Sequence, residues 1–234
     1  MKRWGADVGG AKRVLALVPA NNEEATVGTV VTELRGLEAV DEVVVVSDGS
    51  RDGTIEAAHR AGARVLATRR RVGKGGGLEA ALNALGSADV YLLIDGDVGE
   101  TAREAEALLA PVLSGKLDLA VGKLPRQAGG GFGAVKGATR RAIRLVARWD
   151  CEEPLSGQRA ITRESLDGCR PLARGFGLEA AMIVDALRLG FRVGEVSVAM
   201  RHRPTRRDLT GFLHRGRQGL DVLVAMLPRA LGIR

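Results

Sequence analysis

Apolar runs and polar breaks alternate along the first half of this chain with two distinct periods. Residues 14–18 are apolar at every position, as in a strand buried on both faces, and Pro19 stops the run. Residues 26–37 follow with Val27, Val30, Val31 and Leu34 at helical spacing. The same alternation predicts a strand over 43–46, a turn at 47–50 and a helix through Ile55 and Ala58. It continues as a strand over 64–67, a basic Gly-rich loop over 68–77, a helix over 78–85 and a strand over 90–94. A helix over 102–113 and a strand over 117–121 complete the run. Alternation of this kind specifies an α/β fold with an open, mostly parallel sheet flanked by helices. In such sheets ligands bind beyond the carboxyl ends of the strands.

Past Lys123 the pattern loosens. A Gly-rich loop at 129–133 precedes a predicted helix over 134–149, with Val135, Ala138, Ala142, Leu145 and Trp149 on one face and Lys136, Arg140, Arg144 and Arg148 on another. A strand near 159–161, a loop at 175–177, a helix over 178–189, a strand over 192–198 and a basic helix over 209–227 are expected after it. The implied organisation is a tail (1–11), two halves of one domain (12–123 and 124–204) and a C-terminal helical segment (205–234).

Charge separates the halves. Residues 1–124 hold 15 Lys/Arg against 18 Asp/Glu, residues 125–234 hold 20 against 10, and the net +7 therefore belongs to the second half. That excess suits an anionic small molecule, a lipid phosphate or an acidic membrane surface, and a solvated Arg-rich surface explains it equally. Aromatic residues are only 3%, too few for the stacking platforms of single-stranded nucleic-acid binding, so no nucleic-acid partner is expected. Cys151 and Cys169 form no C-x-x-C and read as free thiols. With no apolar leader after Met1 and no apolar run of membrane-spanning length, a cytoplasmic location is expected, with peripheral membrane contact and a homodimer left open.

Candidate chemistry falls at predicted strand ends. Asp95 and Asp97 flank Gly96 where the strand over 90–94 runs out, and a turn there lets both carboxylates converge on one Mg²⁺ or Mn²⁺. Asn21, Asn22, Glu23 and Glu24 follow the first strand, where they face the crevice or cap the next helix. Asp48 ends the second strand, as an acceptor for a base N–H or as a turn former. The loop over 69–77 joins four cations to exposed backbone N–H groups, a phosphate site without the Ser or Thr of a Walker loop. Gly75, Gly77 and Ala80 also match G-x-G-x-x-A with Asp95 beyond, so a Rossmann-type NAD(P)-binding oxidoreductase is the rival reading.

Taken together, Val18, Pro19 and Ala20 with Asn22, Glu23 and Glu24, the runs at 47–50 and 52–54, Gly73, Lys74 and Gly75, and Asp95, Gly96 and Asp97 resemble the motifs of family 2 type glycosyltransferases with the GT-A fold. The resemblance implies that Pro19, Ala20, Glu23 and Asp48, with Asn22 and Gly96 beside them, hold the nucleoside of a nucleotide-diphosphate sugar. It further implies that Lys74 meets the diphosphate and that Asp95 and Asp97 bind the metal. In the second half, the runs at 154–158, 175–179 and 201–203 are similar to segments of glucosyl-3-phosphoglycerate synthases and their mannosyl relatives. From these the resemblance places His202 on the metal and Glu179 at the reaction centre. Gly130, Gly131, Phe132, Lys136 and Arg201 then border the acceptor. The implied reaction moves a hexose, glucose from UDP-glucose, to a small anionic acceptor, with a polyprenyl phosphate at a membrane as the alternative. The 129–133 loop lacks the basic and hydroxyl residues that subgroup uses for phosphoglycerate.

Overall fold

A computed structural model describes residues 11–125, 133–202, 221–222, 224–229 and 231. The elements run β1 (Val14–Ala20), α1 (Val27–Arg35), β2 (Glu42–Asp48), α2 (Thr54–Arg60), β3 (Arg64–Thr68), α3 (Lys74–Ala84) and β4 (Val90–Leu93). They continue as α4 (Glu106–Leu113), β5 (Leu119–Lys123), α5 (Gly133–Ala147), β6 (Arg159–Thr162), α6 (Arg163–Gly168), α7 (Leu178–Arg188) and β7 (Val193–Ser197). The seven strands form one sheet in the order β3-β2-β1-β4-β6-β5-β7. Every pairing is parallel except those of β6, which lies antiparallel between β4 and β5.

The consecutive valines of β2 show why the apolar runs are strands. Val43 and Val45 enter the core under α1, while Val44 and Val46 enter the core on the opposite face beneath α3. Both layers are aliphatic, as the scarcity of aromatics requires.

Several boundaries differ from the sequence expectation. The helix expected from Leu78 begins at Lys74, because Gly75 and Gly77 allow it to pack closely: a Cβ at Gly75 would lie 2.0 Å from the Ala173 carbonyl oxygen. The helix expected over 102–113 is a three-ten stretch, Gly99–Ala105, followed by α4. On and just after α5, Ala142 and Trp149 pack against the core as expected, but Thr139 and Ile143 are the buried residues and Ala138 and Leu145 face out, Leu145 being 75% exposed. Helix α6 had no sequence signal strong enough to be expected; Thr162 caps it by accepting from Ser165 N–H. Of the basic helix expected over 209–227, residues 221–222 and 224–227 are helical and 209–220 and 223 lie outside the described residues. No helix among the described residues is long and apolar enough to cross a membrane.

The C-terminal helix is bolted to α7 by a buried ion pair. Arg229 Nε donates to Asp185 Oδ1 at 2.7 Å, its Nη2 pairs with Oδ2, and its Nη1 donates to the Ala225 carbonyl. Removing one partner strands the other charge in the core, so Arg229→Ala is expected to cost about 3–5 kcal/mol in a denaturant melt. Replacing both partners by apolar residues (Asp185→Leu with Arg229→Met) should cost less than the single change. Cys151 and Cys169 are buried free thiols, and burial, then Glu195, pushes the Cys151 thiol up to about 11, away from nucleophilic duty.

Candidate active site

Six parallel strands deliver their carboxyl ends to one edge of the sheet, and the loops after β1, β2 and β4 meet there. Asn21 Nδ2 donates to the Asp48 carbonyl at 2.7 Å. Asn22, left-handed at φ 60°, accepts from Arg51 N–H on its side chain and donates its own N–H to Ser50 Oγ. Glu23 N–H donates to Thr54 Oγ1, and Glu24 Oε2 accepts from Gly53 N–H. Helix α1 starts at Val27 with no acid in its first turn; the Glu23 carbonyl accepts from Val27 N–H at 2.9 Å, and the other contacts of this stretch brace one loop against the next. Pro19 and Ala20 end β1, where the Pro19 carbonyl accepts from Gly96 N–H at 3.2 Å.

Asp48 acquires a task unforeseen in the sequence. Its carboxylate accepts from Val72 N–H (2.7 Å), Gly73 N–H (2.8 Å) and Thr68 Oγ1 (3.1 Å), anchoring the loop that leads into α3. That loop aims Lys74 inward. Lys74 Nζ donates to Asp95 Oδ1 at 2.6 Å and to Glu179 Oε1 at 2.9 Å, joining the metal candidate to the reaction-centre candidate. Burial alone would lower the Lys74 pKa, but the two carboxylates outweigh it and the net shift is upward. Asp95 mirrors this: burial would raise its carboxyl, and the Lys74 ammonium holds it below the usual range. The Lys74 and Asp95 side chains remain 23% and 24% exposed, so a ligand can reach them.

The segment after β7 brings a third ligand group to the turn after β4. His202 Nδ1 lies 2.9 Å from Asp97 Oδ1, and this contact raises the imidazole pKa against the opposing effect of burial. One ligand atom each from Asp95, Asp97 and His202 fall within 4.8 Å of one another. Two carboxylates and an imidazole suit Mn²⁺ or Mg²⁺ completed by substrate oxygens, so the donor set fits such an ion. Thr26 Oγ1 steadies the turn by donating to the Gly96 carbonyl at 2.8 Å.

Behind the cluster stand residues that the sequence argument quoted without a role. Gly157 abuts the Lys74–Asp95 pair, since a Cβ there would sit 2.2 Å from Asp95 Oδ2 and 2.5 Å from Lys74 Nζ. Buried Gln158 and Arg159 lie beside it. Their signal was the polar stretch at 156–159 before the apolar Ala160 and Ile161, but a parallel strand would have put that stretch at the wrong edge. Of the acceptor candidates, Gly130, Gly131 and Phe132 lie outside the described residues. Lys136 pairs with Glu153, and exposed Arg201 is fixed through its N–H to Thr101 Oγ1.

The glycine pattern of a dinucleotide site has another use here. Gly75 and Gly77 pack against Ala173 and Val46, and Asp95 engages Lys74.

Comparison with known proteins agrees. Residues 16–167 match the model of glycosyl transferase family 2. Glycosyltransferase AglJ of Haloferax volcanii is 33% identical over 202 residues, covering 83% of this chain and 65% of its own length. The chain thus spans a little under two thirds of that relative. Glucosyl-3-phosphoglycerate synthase of Mycolicibacterium smegmatis is 33% identical over 249 residues, covering 94% of this chain and 80% of its own. The structure of glucosyl-3-phosphoglycerate synthase from Mycobacterium tuberculosis in complex with Mn²⁺, UDP-glucose and phosphoglyceric acid superposes with a TM-score of 0.79 at 30% identity, covering 98% of this chain and 86% of that one. A sheet of this order, the strand-end motifs and the family match over residues 16–167 agree that the chain belongs to glycosyl transferase family 2 and is a glycosyltransferase.

Proposed function

We propose that this enzyme transfers glucose from UDP-glucose to a small anionic acceptor of the phosphoglycerate kind, with Mn²⁺ or Mg²⁺ held by Asp95, Asp97 and His202. The observation that carries the reading is the convergence of those three ligand groups beside Lys74 and Glu179 at the carboxyl edge of the sheet. It is supported by a relative of 30% identity whose structure holds Mn²⁺, UDP-glucose and phosphoglyceric acid. In this reading residues 12–123 bind the donor and residues 124–204 the acceptor.

When bound, the cation neutralises charge growing on the departing diphosphate. Pro19, Ala20, Asn22, Glu23 and Asp48 form the wall facing the nucleoside, and Gly96 lets the turn pass close to it. Lys74, already charged and aimed into the cleft, lends a fixed positive group to the leaving oxygens. Glu179 faces the transferred sugar, as base for the acceptor hydroxyl in an inverting reaction or as a hydrogen-bond acceptor for the sugar in a retaining one. The anomeric configuration of the product separates these. Arg201 supplies a cation for the acceptor.

A second reading, transfer to a polyprenyl phosphate, is favoured by the exposed Arg140, Arg141, Arg144, Arg148 and Leu145 around α5. UDP release from UDP-glucose should require Mn²⁺, vanish with EDTA and rise with 3-phosphoglycerate. Stimulation by a polyprenyl phosphate alone would establish the second reading in its place, and no metal-dependent release with either acceptor would remove both.

A further inference from the structure

Gln158 is wholly buried, yet its amide is fully directed at one residue. Its Nε2 donates to Asp95 Oδ2 at 2.9 Å, and its Oε1 accepts from Asp95 N–H at 3.0 Å. The amide orientation is forced, because a backbone N–H can only donate and a carboxylate can only accept. Asp95 is therefore gripped at both its main chain and its side chain by a single planar group.

The support for that grip is rigid. Gly122 N–H donates to the Gln158 carbonyl at 2.8 Å, and a Cβ at Gly122 would come within 3.0 Å of Gln158 Cβ. Arg159 Nε closes the turn on the Ser156 carbonyl at 2.9 Å, and its Nη1 reaches the Glu179 carbonyl at 2.8 Å. Gln158 arrives at this edge only because β6 is antiparallel, which places its amino-terminal end beside the carboxyl end of β4.

We infer that Gln158 is a positioning residue for metal binding, orienting the Asp95 carboxylate without cancelling its charge. A cation at Oδ2 would hold the same rotamer but repel a divalent ion, and Lys74 already occupies Oδ1. A neutral donor fixes direction and leaves the negative charge available. This inference rests on the metal site of the proposed function, and it adds a residue whose work is indirect.

The test is Mn²⁺ titration in the presence of UDP, followed by loss of the free-ion paramagnetic resonance signal, on wild type, Gln158→Met and Gln158→Asn. The first variant keeps side-chain length without hydrogen bonds, and the second keeps a neutral amide but is one methylene shorter, so it cannot grip both the Asp95 N–H and its carboxylate. Both should bind Mn²⁺ about 10–100-fold more weakly, the usual cost of losing a partner that orients a ligand. Their melting temperatures should stay near wild type, and raised Mn²⁺ should restore transfer in part, which a purely structural defect would not allow. Unchanged or tighter Mn²⁺ binding in folded variants overturns the inference and leaves the proposed function standing. Failure of both variants to fold also overturns it, since the residue would then serve stability. A wild-type chain that takes up no Mn²⁺ with UDP removes the proposed metal site and this inference with it.

Discussion

Gly157→Ala should lower kcat/KM for glucosyl transfer by about 100-fold or more while costing only about 1–3 kcal/mol of stability. The added methyl would stand 2.2 Å from Asp95 Oδ2 and 2.5 Å from Lys74 Nζ, so the carboxylate and the ammonium cannot both stay where they are. Asp95 Oδ2 is itself held by Gln158, which leaves rotation of the whole carboxylate or withdrawal of Lys74 as the ways to make room. Either change misplaces a group that, under the proposed function, must meet the diphosphate within tenths of an ångström. The fold tolerates it better, because the clash is with side-chain ends at a partly open cleft. Paired measurements of kcat/KM and the denaturant midpoint check this. Turnover within threefold of wild type would mean that the Lys74–Asp95 geometry does not matter to the reaction.

Asp97→Asn should be more severe, roughly a thousandfold loss of Mn²⁺-dependent transfer, about 4 kcal/mol of transition-state stabilisation. The substitution keeps shape and a hydrogen-bonding oxygen beside His202 but removes one of two negative charges facing the cation. A second consequence is readable without substrate or metal. The hydrogen bond to the Asp97 carboxylate, together with that group's charge, raises the His202 pKa, so with the charge gone it should fall back toward 6.5, as followed by imidazole proton resonances against pH. The imidazole would then lose its proton at lower pH than in wild type. An unmoved titration would show that Asp97 does not govern His202, and full Mn²⁺-dependent turnover would take Asp97 out of the site.

Much of the first half was readable because its signals are local. The all-apolar run at 43–46 could only be a strand buried on both faces, and Asp48, Asp95 and Asp97 could be placed at strand ends from neighbouring residues alone. The first turn of α3 was misjudged for the same reason. Three glycines look like a loop when considered locally, and only the close approach of Ala173 to Gly75 and of Val46 to Gly77 explains why a helix takes them there. Leu145 on α5 is the opposite case, an apolar residue that periodicity turned inward and packing leaves exposed.

The sequence by itself determined the alternating α/β order, the aliphatic core, the basic second half and the acidic pair at the end of β4. Hydrophobic periodicity and turn chemistry act over a few residues, so they can be read without knowing what lies across the sheet. Tertiary structure decided that Lys74 bridges Asp95 and Glu179, 21 and 105 residues away, and that His202 reaches Asp97 across 105. It also decided the reversal of β6, which carries Gly157 and Gln158 to the site. Strand direction is set by long-range pairing and by which faces must be covered, and no pattern within a strand records it.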